Sequence, residues 1–158
     1  MADETGLASQ RIARFMGTFE QSLDDRGRLI LPAKFRERLG EIVVVVKGRG
    51  KYLLVFPLEA WEAISRQMDA LSVTSEEDFS VIELLYSFAS DEEIDRQGRI
   101  LIPANLRGYA NLKDSVVVEG LNTRFAIWDK ANWDIQARVT ETGSSRSYRR
   151  LDERGIVL

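Results

Sequence analysis

The sequence contains neither cysteine nor histidine in its 158 residues. Without cysteine there can be no disulfide, thiol nucleophile or thiolate metal site. Without histidine there is no Ser-His-Asp or Cys-His catalysis, no HExxH zinc site and no ordinary general base near neutral pH. An enzyme built from this chain would depend on carboxylates, lysine, tyrosine or a hard metal ion, and the sequence offers no convergent acidic pair for a carboxylate hydrolase. Long apolar runs are missing too. The longest purely aliphatic stretch is residues 42–46, whereas a membrane span needs roughly twenty residues. Residues 1–6 are acidic and polar, unlike the basic flank and apolar segment of a secretory signal. Nor is there an excess of positive charge, since 22 Lys+Arg face 25 Asp+Glu for a net charge of −3. These absences predict a cytoplasmic protein that is not an enzyme, with no cofactor, no metal, no membrane partner and no small-molecule substrate.

What is present is enough for a core: 44% of residues are hydrophobic and 30% charged, the composition of one ordinary domain or two small ones. The chain also contains its own sequence twice. Residues 24–36 read Asp-Asp-Arg-Gly-Arg-Leu-Ile-Leu-Pro-Ala-Lys-Phe-Arg, and residues 95–107 read Asp-Arg-Gln-Gly-Arg-Ile-Leu-Ile-Pro-Ala-Asn-Leu-Arg. Asp24, Gly27, Arg28, Pro32, Ala33 and Arg36 recur identically at an offset of 71. The offset becomes 72 further on, where residues 44–46 match 116–118 and Trp61 matches Trp133. A period this long describes a duplicated small domain, not a solenoid.

Each copy predicts a strand, a tight turn, a second strand and a short helix with Pro32 or Pro103 at its first position. A buried strand, a turn, another strand and a closing helix follow. Residues 75–78, Ser-Glu-Glu-Asp, form a helix start signal. The apolar spacing of Phe79, Ile82, Leu85, Tyr86 and Ala89 then continues a helix through an acidic stretch. The expected organisation is an N-terminal extension (1–14), a first domain (15–74), an acidic helical connector (75–93), a second domain (94–140) and a C-terminal tail (141–158). A unit of ~70 residues is marginal alone, so the copies should pack about a pseudo-twofold axis and share a core.

Asp-x-x-Gly-Arg has a physical reading. Asp24 and Asp95 suit the first position of a type I turn, and Gly27 and Gly98 its fourth. Arg28 or Arg99 then begins a strand directly after a stiff bend. Such a guanidinium can bind phosphate, or guanine O6 and N7, in bidentate fashion; alternatively it pairs with Asp24 or Asp95 and braces the turn. Recurrence in both copies, with basic residues close by, favours ligand contact. Arg26, Lys34, Arg36 and Arg96 complete the local positive charge, within a chain that is acidic overall. Two modest patches hold DNA weakly, and an oligomer that repeats them multiplies the grip.

The doubled pattern Asp-x-x-Gly-Arg-(apolar)₃-Pro-Ala-x-(apolar)-Arg closely resembles the MraZ family over about residues 15–140. The resemblance implies an α+β fold, a tandem pair of AbrB-type (SpoVT-AbrB) swapped-hairpin, β-barrel-like domains with flanking helices. It also implies a nucleoid-associated transcriptional regulator that forms a ring-like homo-oligomer and binds direct repeats in double-stranded DNA upstream of the division and cell-wall gene cluster. The DNA contacts would fall on Arg26, Arg28 and Arg99, on turns shaped by Asp24, Gly27, Asp95 and Gly98. Lys34, Arg36 and Arg96 would add phosphate contacts. An assembly module of the AbrB-barrel type without DNA readout is the alternative.

Other features have plainer readings. Residues 47–51, Lys-Gly-Arg-Gly-Lys, lack the Gly-Lys-Ser/Thr ending of a phosphate-binding loop and predict a hairpin turn. The acidic run matches no EF-hand spacing, and Trp61, Trp128 and Trp133 lie at core-facing positions. The tail bearing Arg146, Arg149, Arg150 and Arg154 is expected to be mobile.

Overall fold

The computed structural model describes residues 14–158. The expected N-terminal extension therefore lies, apart from Arg14, outside the described residues. The first repeat supplies β1 (Thr18–Ser22), β2 (Arg28–Ile30), α1 (Ala33–Arg36), β3 (Ile42–Lys47), β4 (Tyr52–Pro57) and α2 (Leu58–Met68). Next come α3 (Glu76–Ile82) and a π-helical turn (Glu83–Ser87). The second repeat supplies β5 (Ser90–Glu93), β6 (Arg99–Leu101), α4 (Ala104–Tyr109), β7 (Ser115–Gly120), β8 (Phe125–Asp129) and α5 (Lys130–Thr142), followed by α6 (Ser144–Glu153).

The repeats are interlaced. One antiparallel sheet runs β1-β7-β8-β4-β3-β5, and β2 pairs with β6 in a separate two-stranded ribbon. Thus β1 leaves its own repeat to pair with β7, while β5 crosses the other way to pair with β3. Exchanging the repeats reverses the strand order and leaves it otherwise unchanged, so a pseudo-twofold axis passes between β4 and β8 and through the ribbon. This is the swapped-hairpin arrangement.

The exchange has a packing cause. Each repeat's central strands are apolar on both faces, and β3 (Ile-Val-Val-Val-Val-Lys) buries Val43, Val44, Val45 and Val46. A strand of this kind must be covered on both sides. On one side a single core joins Phe15, Leu29, Phe35, Val43 and Val55 of the first repeat to Ile100, Leu106, Val116, Phe125 and Ile127 of the second. On the other side Val44, Val46 and Phe56 pack under Trp61 and Ile64 of α2.

Several local expectations need revision. Pro32 and Pro103 sit at the N-cap, not the first helical position, with extended ψ values of 136° and 147°. Each serves both as strand exit and as helix entry, as Pro57 does between β4 and α2. The extra residue of the second repeat falls where α4 outlasts α1 and closes on Asn111, whose φ is 52°. The connector is helical only as far as Ser87, because Ser90–Glu93 form β5, an edge strand satisfying the β3 backbone. The basic tail, expected to be mobile, is helix α6 through Glu153, supported on its exposed surface by an Arg150–Glu153 pair at 3.4 Å. The hairpin at residues 47–51 does join β3 to β4, and Tyr109 of the other repeat donates to its Gly48 carbonyl at 2.8 Å. The tryptophans are half-buried and packed in aromatic clusters: Trp61 against Phe56 and Tyr86, and Trp128 between Tyr52 and Trp133.

Candidate nucleic-acid interface

Both Asp-x-x-Gly-Arg segments form the same hairpin loop. In the first, the Gly27 N–H donates to the Asp24 carbonyl at 3.0 Å and the Asp24 N–H to the Arg28 carbonyl at 2.9 Å. Gly27 has φ +81° and its counterpart Gly98 has φ +77°. This is a type I turn followed by a left-handed bulge residue, a geometry only glycine adopts readily. Asp24 Oδ1 accepts the N–H groups of Arg26 and Arg28 at 3.0 and 2.8 Å, and Oδ2 accepts Arg28 Nε at 2.9 Å. Asp95 repeats the pattern with Gln97 N, Arg99 N and Arg99 Nε at 2.9, 2.9 and 2.8 Å. The backbone N–H of Arg28, then its guanidinium and the Arg26 N–H, hold the Asp24 carboxyl below its ordinary range. The Arg99 backbone N–H and then its guanidinium do the same for Asp95.

The bracing arrangement is therefore real, but it engages only one edge of each arginine. Among the described residues, the Arg28 side chain bonds through Nε alone. Arg99 adds one bond from Nη2 to Gln97 Oε1 at 3.3 Å. The carboxylate fixes the plane of each guanidinium and leaves Nη donors outside the pair, so bracing and presentation go together.

The ribbon sets where these groups face. Its register is Arg28↔Leu101, Leu29↔Ile100 and Ile30↔Arg99. Leu29 and Ile100 are buried, whereas Ile30 and Leu101 are 46% and 44% exposed. By strand alternation, Arg28, Ile30, Arg99 and Leu101 share the outer face. The two arginine Cα atoms then lie roughly 8 Å apart on the diagonal.

The structure regroups the remaining predicted residues. Arg36 crosses to the second turn, where its Nη1 donates to the Gln97 carbonyl at 3.2 Å. Arg107 crosses to the first, donating from Nη1 to the Ile102 and Arg26 carbonyls at 2.7 and 3.4 Å. Arg26, Arg28 and Arg107 therefore gather at one end of the ribbon, and Arg36, Arg96 and Arg99 at the other. Arg26, Lys34 and Arg96 are exposed, Lys34 on α1. Arg107 was absent from the candidate contacts, although its identity with Arg36 in the repeated motif was the signal for it. Any side chain on Gly27 or Gly98 would collide with these crossing arginines. The turns are thus locked to the opposite repeat.

Elsewhere, no group of three or more Asp and Glu residues suited to a metal ion occurs among the described residues. None of the described helices is long and apolar enough to cross a membrane. An open cleft of about 900 Å³ lies between α2 and residues 37–42, with Leu58, Ile64 and Arg124 in its walls.

Comparison with known proteins finds a family and close relatives for the chain. The family model described as "MraZ protein, putative antitoxin-like" matches residues 14–81 and again 85–155. The transcriptional regulator MraZ of Roseiflexus sp. (strain RS-1) is 42% identical over 139 residues, covering 88% of this chain and 97% of that protein. The protein of the same name from Moorella thermoacetica is 41% identical over 142 residues, covering 90% and 96%. That from Lactiplantibacillus plantarum is 40% identical over 131 residues, covering 83% and 92%. With both halves of its length matched by the family model and relatives about 40% identical over most of its length, the chain belongs to the MraZ family.

Proposed function

We propose that the chain is a sequence-specific DNA-binding transcriptional regulator. It acts in the cytoplasm, on the nucleoid, at direct repeats upstream of the division and cell-wall gene cluster. The observation that carries this reading is the β2–β6 ribbon, with Arg28 and Arg99 on the same outer face as Ile30 and Leu101. A two-stranded ribbon fits a major groove about 12 Å wide, where an arginine fork pairs with guanine O6 and N7. The apolar pair between the arginines suits a thymine methyl. Arg26, Lys34, Arg36 and Arg96 supply phosphate contacts, which set register without reading sequence. The names of the relatives support the same role.

The described residues of one chain present a single ribbon, so tight binding calls for several copies. We assign these to a ring-like homo-oligomer, for which the exposed Ile135 and Val139 of α5 and the α6 helix, which buries no residue, offer surface. The test is fluorescence anisotropy with duplex from upstream of the gene. Arg28→Ala should weaken binding by roughly 1–3 kcal/mol, the worth of one bidentate base contact. Lys34→Ala should cost less, and affinity should fall steeply with salt. Equal affinity of the wild type for upstream and random duplex would refute sequence-specific recognition. Light scattering at the same concentrations tests the assembly.

A further inference from the structure

We infer that the acidic helix α3 of one copy docks on the basic helix α6 of the next, so that copies of the chain join head to tail through faces of opposite charge. This rests on the homo-oligomer proposed above and goes further by naming the two faces that meet. The two helices hold the same place in the order of their repeats: α3 follows β4 and α2, and α6 follows β8 and α5. Their chemistry is opposite. Residues 76–88 carry Glu76, Glu77, Asp78 and Glu83 with no lysine or arginine. Residues 144–154 carry Arg146, Arg149, Arg150 and Arg154 against Asp152 and Glu153.

The charges lie on outer surfaces. Tyr86 seats the connector on α2, its ring 5.5 Å from that of Trp61 and its hydroxyl donating to Ser65 Oγ at 2.9 Å. Asp78, Ile82 and Leu85 are half-buried on the inner side of α3 and the turn that extends it. Glu83 and Leu84 follow Glu76 and Glu77 by seven residues, two helical turns, so these four share the opposite face, and all are exposed. Val81 and Leu84, 41% and 57% exposed, add apolar surface there. In α6, Arg149 and Arg150 stand three and four residues after Arg146 and share one exposed face with it. Among the described residues, no ion pair joins α3 to α6 within one chain, and the one pair on α6 is Arg150 with Glu153. The two faces therefore go unmet in a single copy and complement one another between copies. Contact between two α3 faces, or between two α6 faces, would set like charges together, which costs affinity. One α3–α6 contact leaves an α6 face open on one copy and an α3 face open on the other. A heterologous contact of this kind propagates, and it closes into a ring where its rotation allows.

The test is light scattering of the full chain and of two charge-reversed variants, Glu77→Arg/Glu83→Arg in α3 and Arg146→Glu/Arg149→Glu in α6. All four side chains are exposed, and circular dichroism checks that each variant folds. Each variant alone should need roughly tenfold more protein than the wild type to assemble, because its reversed face meets its own kind. An equimolar mixture should regain the wild-type midpoint, since alternating copies then place opposite charges at both contacts. The wild type itself should shift toward single chains as salt rises, a readout that needs no variant. Either variant assembling alone like the wild type would overturn the inference. So would a mixture no larger than its components, or wild-type assembly indifferent to salt. A wild type that stays a single chain at every concentration would overturn the homo-oligomer reading as well.

Discussion

Replacing Phe35 by alanine probes whether the two repeats form one cooperative structure. Phe35 is fully buried on the short α1 helix, and its ring meets those of Phe15, Phe19 and Phe125 at centroid distances of 5.1, 5.2 and 5.2 Å. Two of these neighbours precede α1 in the chain, and Phe125 belongs to β8 of the other repeat. All three are held by strand or bridge pairing, so the site cannot collapse readily into the space left behind. The cost should therefore lie well within the range for Phe→Ala, about 4 kcal/mol. For a chain of this size each kcal/mol moves Tm by about 2–4 °C, so a fall of roughly 8–16 °C is expected. The cooperativity matters more than the size of the fall. Trp61 reports on the first repeat, and Trp128 with Trp133 on the second. A Trp61→Phe background and a Trp128→Phe/Trp133→Phe background, melted at one protein concentration, should show coincident transitions shifted equally by Phe35→Ala. The twin substitution, Leu106→Ala, should act in the same way. A second-repeat transition left in place while the first-repeat transition falls would refute the shared core.

The titratable groups give two further expectations. Asp24 and Asp95 bind protons less readily in the fold than their ordinary value of 3.8, so their contribution is complete above that value and disappears as pH falls below it through the lowered one. The Tm gap between the wild type and Asp24→Asn/Asp95→Asn should hold from pH 7 to about 5 and close below about pH 4. A gap independent of pH would show that the carboxylate charge is irrelevant. Glu119 runs the other way: burial raises its carboxyl above 4.5, against the lowering effect of the Trp128 Nε1–H bond at 3.0 Å. Its contribution is most favourable below 4.5 and is lost as pH rises through the raised value. Glu119→Gln, which keeps an acceptor for Trp128, should therefore raise Tm at pH 7. Thermal scans at pH 7 and pH 4 check this, the gain vanishing at the lower pH.

The duplication, both turns and the proline-led helices could be read from residues 24–36 and 95–107, because local backbone chemistry specifies them. The sequence could not show which strand each hairpin joins. β1 is equally compatible with either repeat by its alternation, and only the geometry of the shared core sends it to β7. The crossing of Arg36 and Arg107 follows from that exchange and was hidden for the same reason. Ser90–Glu93 looked helical because the apolar spacing from Phe79 to Ala89 ran into it, and its carboxylates are poor strand formers. Pairing with β3 overrode both signals. Helix α6 was obscured by its density of charge, which marks a solvated surface as readily as a mobile tail.

The most direct measurement is the affinity of Arg28→Lys for the upstream duplex and for a scrambled duplex of equal length, in the same salt. Lysine keeps the charge but lacks the planar fork. If Arg28 reads a base edge, binding to the scrambled duplex should stay within about twofold while the preference for the upstream duplex falls roughly tenfold, in a protein still folded at the assay temperature. Parallel losses on both duplexes, or no loss on either, would contradict base recognition by the ribbon.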